Sequence, residues 1–289
     1  MYQGSFVAVV TPFKDNSEVD FEAYGRLLDW HVDQGTNGLV PCGCTGEAAT
    51  LSHAEQKECI RFAVERVAGR VPVIAGTGSN NTREAVELTR FAKEAGADGA
   101  LLITPYYNKP TAEGQIAHYR AVAEQVDLPI MLYNVPSRTG TNIAPETTAT
   151  LSTIKNIVSI KEAAGSVDQV SQIVKSCSIN VMSGDDSLTL PMMAVGASGV
   201  VSVAANVAPA KVAALCAHAN NGDFAGARKI HLELLPLFKA LFIETNPMPV
   251  KAALARMGFI KNVLRLPLTP LREQMWPKLE AVLTELQLL

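Results

Sequence analysis

Eight short apolar runs recur along the first two thirds of the 289-residue chain, at intervals of roughly 20 to 35 residues. Each run is rich in Val, Ile and Leu and lacks the polar alternation of a half-exposed strand. Continuous apolar runs of this kind are typical of parallel strands that are covered on both faces. The runs are SFVAVV from Ser5, GLVPCG from Gly38, VPVIAG from Val71, GALLIT from Gly99, PIMLYN from Pro129, IVSIK from Ile157, NVMSG from Asn180 and GVVSV from Gly199.

The segments between the runs carry helix start signals. Ser52, Asn81 and Ser166 are each followed three residues later by Glu or Gln, the pattern of a capping box. Eight repeats of strand and then helix predict an α/β protein with a (β/α)8 TIM barrel. An open, doubly wound sheet is the alternative, which the strand count and the lack of a GxGxxG motif after any run disfavour.

The last part of the chain has a different pattern. About 80 residues follow the eighth run without another strand signal, so we expect additional helices after the barrel. We place the barrel strands and the active site in residues 1–205. Residues 206–289 are expected to form the last barrel helix and a C-terminal helical extension.

The composition favours small-molecule chemistry. The formal net charge is -3 and the Lys and Arg residues are scattered, so neither nucleic acid nor an anionic membrane is expected as a partner. Five irregularly spaced cysteines fit a reducing cytoplasm. The most apolar long stretch, Gly199 to Ala217, is broken by Pro209 and Lys211, and the N-terminus lacks a basic region. We therefore expect neither a membrane span nor a signal peptide.

A barrel brings together the residues that follow its strands, because all eight strands end at one mouth. Hydroxyl groups, a thiol, small residues and one amine are expected to share this space. They belong to Cys44, Thr45, Tyr106, Tyr107, Tyr133, Lys161, Gly184 and Val201.

Lys161 stands where the sixth apolar run ends. Desolvation at a barrel mouth lowers the pKa of a lysine, so that part of the amine is neutral and able to attack a carbonyl carbon as a Schiff-base nucleophile. Tyr133, one strand away, is suited to moving the protons that this step requires. The alternative is that Lys161 forms an ion pair with Glu162 or Asp185 and only closes the end of the barrel.

Two further segments suit anionic groups. The GCTG loop offers successive backbone N–H groups and the Thr45 hydroxyl to a carboxylate, although a plain glycine-rich turn has the same pattern. In YNVPSRTG, the Arg138 guanidinium suits bidentate capture of a second carboxylate. The alternative for Arg138 is an ordinary surface arginine in a turn.

Metal and histidine chemistry are not expected. Cys42 and Cys44 are predicted to face the same side of a strand, but without a second Cys or His pair they do not indicate a zinc site. Asp185 and Asp186 suit a magnesium ion or, equally well, the N-terminus of a helix. The five histidines fall mostly in predicted helices, where surface positions are expected, so we assign no catalytic histidine, no metal and no cofactor.

Several motifs together resemble those of the dihydrodipicolinate synthase family of pyruvate-dependent lyases and aldolases. The similarity extends over nearly the whole chain and is most specific in YNVPSRTG and IKEAAG, with GSFVAVVTPF, TGEAATLSHAE, SGDD and FIETNPMPVK in support. It implies a lyase of lysine and diaminopimelate biosynthesis that condenses pyruvate with aspartate 4-semialdehyde to 4-hydroxy-tetrahydrodipicolinate.

The resemblance also implies roles for individual residues. Lys161 would form the Schiff base and Tyr133 would act as the proton shuttle. Thr45 and the backbone beside it would hold the pyruvate carboxylate, and Arg138 would bind the carboxylate of the semialdehyde. Gly184 and Val201 would line the pocket.

The resemblance further implies assembly and regulation. Tyr107 would reach into a neighbouring subunit and complete a hydroxyl relay, so we expect a homo-oligomer, usually a tetramer built as a dimer of dimers. The family motif reads Gly-Thr-Thr-Gly-Glu, but Cys44 replaces the first threonine here, which puts a weakly bonding thiol in the relay. Positions that match an allosteric lysine site in inhibited relatives are Ala49, His53, Asn80, Glu84 and Tyr106.

Two other functions are considered. A related pyruvate-dependent aldolase for sialic acid or a 2-keto-3-deoxy sugar acid would share Lys161 and Tyr133. Arg138 disfavours it, because a neutral polyol needs no carboxylate clamp. A non-catalytic barrel is the second alternative, and the presence of both Lys161 and Tyr133 disfavours it.

Overall fold

The computed structural model describes residues 2–289, and within them eight parallel strands form one sheet. The strands are β1 (Gly4–Ala8), β2 (Gly38–Val40), β3 (Ile74–Gly76), β4 (Gly99–Ile103), β5 (Ile130–Asn134), β6 (Ile157–Glu162), β7 (Asn180–Ser183) and β8 (Gly199–Ser202). Each strand coincides with one of the predicted apolar runs.

The sheet order is β2-β1-β8-β7-β6-β5-β4-β3. A parallel bridge between Leu39 and Val73 joins β2 to β3 and closes the barrel. The predicted (β/α)8 TIM barrel is confirmed.

Helices follow the strands and surround them. They are α1 (Phe21–Asp33), α2 (His53–Val67), α3 (Thr82–Glu94), α4 (Ala112–Gln125), α5 (Pro136–Thr139), α6 (Pro145–Leu151), α7 (Val167–Ser176), α8 (Thr189–Ala194), α9 (Pro209–Asn220), α10 (Phe224–Ala240), α11 (Met248–Arg256) and α12 (Trp276–Glu285). The predicted helices after the barrel are therefore present. The exact division at residue 205 stays a prediction.

The three predicted capping boxes have different outcomes. Ser52 and Glu55 at the start of α2 exchange both hydrogen bonds of the box. Asn81 and Ser166 each cap a backbone N–H of their helix. However, Glu84 turns to the Ser79 hydroxyl, and the side chain of Gln169 turns away from the cap. The complete capping box therefore forms only at Ser52. At the other two helices, nearby polar groups compete for the side chains of Glu84 and Gln169.

The apolar residues form two cores, one on each side of the barrel wall. The larger core lies between the strands and the surrounding helices. The smaller core fills the inside of the barrel and includes Phe6, Leu101, Met131, Met182 and Val201. Because side chains alternate along a strand, seven strands contribute to both cores. The exception is β6, whose inward-facing residues Ser159 and Lys161 are polar. The filled interior leaves only the mouth open for a ligand.

The surface position expected for the histidines is wrong at two sites. All five lie in helices, but His31 is fully buried and His118 is nearly so. Burial lowers the pKa of His31 to about 3 and that of His118 to about 4, so both are neutral near pH 7. No helix in residues 2–289 has the length and apolar character that a bilayer crossing requires.

Candidate active site

Lys161 and Tyr133 lie side by side at the barrel mouth. They are direct partners in the register of β5 and β6, and the Lys161 Nζ lies 4.1 Å from the centre of the Tyr133 ring. Both side chains line a cavity of 540 Å³, together with Cys44, Thr45 and Arg138. The structure thus brings together the residues that the sequence predicted for the reacting centre.

The Lys161 amine is buried without a partner. The residue is 5% exposed, and we find no hydrogen-bond acceptor or carboxylate for its Nζ among residues 2–289. Burial lowers the pKa of Lys161 to about 8; Arg138 also lowers it, against opposing contributions from Cys44 and Asp186. A useful fraction of the amine, roughly a tenth at pH 7, is therefore neutral.

The alternative of an ion pair that closes the barrel end is wrong. Glu162 points to the outer face of the barrel and accepts hydrogen bonds from Asn134 and Gln169. Asp185 accepts from the backbone N–H of Ser187 and begins a short 3-10 helix. Neither carboxylate forms a salt bridge with Lys161, since strand alternation sends Glu162 away from the mouth.

Tyr133 is buried beside Lys161. Burial raises the pKa of Tyr133 well above its usual value, the neighbouring Cys44 adds to this effect, and Arg138 opposes it. The hydroxyl therefore keeps its proton near neutral pH. A neutral phenol beside a partly neutral amine is the combination that proton transfer to a departing oxygen requires.

The GCTG loop presents free backbone donors to the cavity. The N–H groups of Gly46 and Glu47 bond back to Gly43 and Cys44 within the loop. The N–H groups of Cys44 and Thr45 have no acceptor in the described part of the chain. The plain-turn alternative does not account for two unpaired donors at the edge of the cavity, whereas an anion site does.

Asn246 forms hydrogen bonds with both Thr45 and Arg138, the two residues suited to binding carboxylates. Its side-chain Nδ2 donates to the Thr45 Oγ1 at 2.9 Å, and its carbonyl oxygen accepts from the Arg138 Nη2 at 3.0 Å. Asn246 belongs to the FIETNPMPVK motif but is not among the predicted site residues. Its only sequence signal is that motif, because 201 residues separate it from Thr45.

Gly184 leaves room for the lysine chain. A Cβ at this position would lie 2.7 Å from the Ala163 Cβ and 3.0 Å from the Lys161 Cε. Gly184 lines the cavity, as expected, while Val201 lies beneath it in the inner core. Arg138 is exposed and forms no salt bridge within residues 2–289, so that its guanidinium bonds only to the Asn246 carbonyl oxygen at the entrance.

The comparisons with known proteins agree with this geometry. Residues 1–286 match the model of the Dihydrodipicolinate synthetase family. The chain belongs to this family. A curated relative from Nitratidesulfovibrio vulgaris, 4-hydroxy-tetrahydrodipicolinate synthase, is 56% identical over 98% of each chain. The crystal structure of dihydrodipicolinate synthase from Aquifex aeolicus is 52% identical, covers 99% of both chains and has a TM-score of 0.98.

A third relative has pyruvate bound. The chloride-inhibited dihydrodipicolinate synthase from Acinetobacter baumannii was crystallised with pyruvate, is 46% identical over 99% of both chains and has a TM-score of 0.98. The predicted family and lyase class are therefore confirmed. These relatives support the synthase and not the sugar-acid aldolase.

Cys44, at the position of the family's first threonine, does not share a face with Cys42. Cys42 has a left-handed backbone with φ of 56° and packs in the outer core, with its Sγ 3.7 Å from the Gln56 carbonyl oxygen. Cys44 lies on the inner side, at the cavity. The same-face prediction is wrong because β2 ends at Val40, so strand alternation no longer applies.

Asp186 has a structural role in this family member. It is buried and accepts hydrogen bonds from the Ser202 hydroxyl and from the N–H groups of Val203 and Ala204. These bonds hold the chain after β8 beside the mouth. Among residues 2–289, no group of three or more His, Cys, Asp or Glu side chains is arranged to hold a metal ion.

The residues of the expected lysine site surround a second cavity of 460 Å³. Ala49, His53, Glu84 and Tyr106 line it, and Asn80 donates to the Tyr106 carbonyl oxygen at its rim. Cys44 and Tyr133 line both cavities. Tyr107 lines neither; it is 90% exposed and has a left-handed φ of 70°. A single chain therefore does not bring Tyr107 to Tyr133.

Proposed function

We propose that this chain is a 4-hydroxy-tetrahydrodipicolinate synthase that forms a Schiff base between pyruvate and Lys161 and condenses it with aspartate 4-semialdehyde. One observation carries the residue assignment: the buried, unpartnered Lys161 amine lies beside the Tyr133 ring in a cavity with two separate groups for carboxylates. The activity follows from the family and from relatives that bear this name.

The first step is imine formation. The neutral Lys161 amine attacks the keto carbon of pyruvate, and the Tyr133 hydroxyl supplies the proton with which the keto oxygen leaves as water. The free N–H groups of Cys44 and Thr45 hold the pyruvate carboxylate. Loss of a methyl proton then gives an enamine, whose carbon attacks the aldehyde of the second substrate.

The second substrate is oriented by Arg138. Its guanidinium lies at the entrance and is anchored by the Asn246 carbonyl oxygen, so the remaining N–H groups are available to a carboxylate. After the new C–C bond forms, the amino group of the semialdehyde attacks the imine carbon and releases Lys161. A sugar acid lacks that amino group and cannot close the ring in this way.

We also propose that the enzyme is a cytoplasmic homo-oligomer, at least a dimer and most simply a tetramer. Tyr107 and Leu266 are 90% and 80% exposed. Their chain neighbours Tyr106, which is itself 38% exposed, and Pro267 line the second cavity. Exposed large apolar side chains are typical of surfaces that another protein chain covers. The second copy would bring Tyr107 to the partner's mouth.

The second cavity is proposed to bind lysine as an inhibitor. Glu84 offers a carboxylate to an ammonium group, and His53 lies beside it, with Nε2 3.8 Å from the Glu84 Oε2. Binding in the millimolar range, about 4 kcal/mol, is expected to give partial inhibition. Inhibition that persists unchanged in Glu84→Gln would refute this site.

The Schiff base can be trapped directly. Pyruvate and borohydride are added to the enzyme, and the reduced adduct is located by intact-mass measurement and peptide mapping. The expected result is one adduct per chain, on Lys161. An adduct on another lysine, or none, contradicts the mechanism. Parallel assays of condensation and of sugar-acid cleavage test the substrate assignment.

A further inference from the structure

Asn134 and Glu162 form a buried pair directly behind the reacting residues. In the register of β5 and β6, Tyr133 is opposite Lys161 and Asn134 is opposite Glu162. Successive side chains on a strand point to opposite faces. The reacting pair therefore faces the mouth, and the Asn134–Glu162 pair faces the surrounding helices. Both outer residues are 0% exposed.

The Glu162 carboxylate is surrounded by donors. The Asn134 Nδ2 lies 3.1 Å and 3.0 Å from its two oxygens, the Gln169 Nε2 lies 3.0 Å from Oε2, and the Ala164 N–H donates to Oε1 at 2.7 Å. A carboxylate accepts all these bonds at once, which an amide at the same place does not. The carboxylate thereby links β6 to β5 and to α7.

The same pair extends to the segment that follows Arg138. The Asn134 Nδ2 donates to the Asn142 Oδ1 at 2.7 Å, and the Asn134 Oδ1 accepts from the Ile143 N–H at 2.9 Å. The ends of β5 and β6 and the segment that follows α5, the short helix that carries Arg138, therefore share one hydrogen-bonded network. No atom of Asn134 or Glu162 lines the cavity.

We propose that Asn134 and Glu162 are positioning residues, an outer brace that holds Tyr133 and Lys161 in register and keeps water from the Lys161 amine. This inference rests on the proposed function. Reacting groups that are misplaced by about 1 Å lose on the order of a hundredfold in rate. Because Asn134 and Glu162 are each one residue from a reacting group, they directly control the distance between the Tyr133 and Lys161 side chains.

The brace predicts a specific change in pH dependence. The groups that act on Lys161 are Tyr133, Cys44, Arg138 and Asp186, and the cavity is also lined by the charged residues Asp185 and Lys239. None of these groups is altered when Glu162 is replaced. Burial is the main cause of the low pKa of Lys161. A looser wall admits water and returns that pKa toward its ordinary value, so imine formation should need a higher pH.

Glu162→Gln is the first test variant. We expect kcat to fall about thirtyfold, the KM for pyruvate to change less than about threefold, and the pH midpoint of borohydride-trapped imine formation to rise by about half a unit or more. The double variant Asn134→Asp with Glu162→Gln exchanges carboxylate and amide across the pair. It should recover about tenfold of the lost kcat, because the donor and acceptor are again matched.

Two further variants separate positioning from general stability. Ser159→Ala removes the hydrogen bonds to Asn180 earlier in β6; it should lower the melting temperature and leave kcat and the pH midpoint unchanged. Gln169→Ala removes one outer donor and is expected to fold even if Glu162→Gln does not. It should lower kcat about threefold and raise the pH midpoint in the same direction.

Failure of the proposed function and failure of the brace alone would give different results. A wild-type enzyme without a pyruvate adduct on Lys161 would refute the proposed function and the brace with it. A normal wild-type adduct, with kinetics and pH midpoint unchanged in folded Glu162→Gln or Gln169→Ala, would overturn the brace alone. So would a folded double variant that recovers no activity.

Discussion

Lys161 at the barrel mouth and Lys251 beneath the GCTG loop have similar surroundings but different partners. They are 5% and 0% exposed, and burial lowers the pKa of each to about 8. Their Nζ atoms lie 4.1 Å and 4.2 Å from the ring centres of Tyr133 and Phe13. However, Lys251 donates to the Glu47 Oε1 at 2.6 Å and to a backbone carbonyl oxygen at 2.9 Å, whereas Lys161 faces an open cavity.

The comparison shows which property indicates a reactive lysine. Burial and contact with an aromatic ring are common to both, so they do not distinguish the two. A hydrogen-bonded carboxylate keeps the Lys251 amine in place as a structural cation. The free Lys161 amine can instead bond to a carbonyl carbon. We therefore infer reactivity from the missing partner and the adjacent cavity together.

The largest expected effect is on turnover. Lys161→Met should lower kcat by about ten thousandfold or more, since no other group supplies the Schiff base. Its free energy of unfolding should stay the same or increase by about 1 kcal/mol, because an unpartnered buried amine is removed. A coupled enzyme assay and chemical denaturation measure the two quantities. A clear loss of stability would mean that Lys161 also has a structural role.

Lys251→Met should show the opposite pattern. It leaves the buried Glu47 carboxylate without its hydrogen-bonded counter-ion, and breaking such a pair costs about 3–5 kcal/mol of folding stability. The double variant Lys251→Met with Glu47→Gln removes both charges and should regain much of that loss. Denaturant midpoints of the three proteins test this. Equal stability of single and double variants would show that the two charges do not interact.

Arg138→Ala should affect one substrate only. Loss of a charge-assisted contact at the cavity entrance costs on the order of 2 kcal/mol, about thirtyfold in kcat/KM for the semialdehyde. The rate of pyruvate imine formation should change little, as trapping with borohydride would reveal. Equal losses in both half-reactions would assign Arg138 to pyruvate or to general architecture.

The pH dependence of imine formation distinguishes the free lysine from the paired one. The neutral amine reacts, and its folded-state pKa is about 8. The trapping rate should therefore increase by about tenfold from pH 7 to pH 9 and then level off. A flat profile over this range, measured at saturating pyruvate, would mean that the Lys161 amine is already neutral at pH 7.

The smallest effect concerns Cys44. A hydroxyl bonds more strongly than a thiol, so Cys44→Thr should raise kcat several-fold, up to about tenfold or 1.4 kcal/mol of barrier, with little change in stability. Cys42→Thr is the control in the outer core, where no gain in kcat is expected. An unchanged kcat in Cys44→Thr would leave Cys44 as a packing residue.

Much of the fold and of the site could be predicted from local patterns. The apolar runs that became β5 and β6 predicted buried parallel strands, and the ends of parallel strands converge whatever the details of the helices. This is why Tyr133 and Lys161 could be placed together. Pairing of residues distant in the chain could not be predicted in this way: the Asn246–Thr45 contact joins segments 201 residues apart.

The sequence by itself determined the eight strands, the order of strands and helices, and the chemistry at the mouth, because these depend on residue type and on short-range periodicity. Only the tertiary structure decided the partners of the charged groups. Lys161 and Lys251 are both lysines near apolar residues in the sequence. Within residues 2–289, the fold left the first without an acceptor and placed Glu47 against the second, 204 residues away in the chain. That outcome depends on three-dimensional packing, which local patterns do not encode.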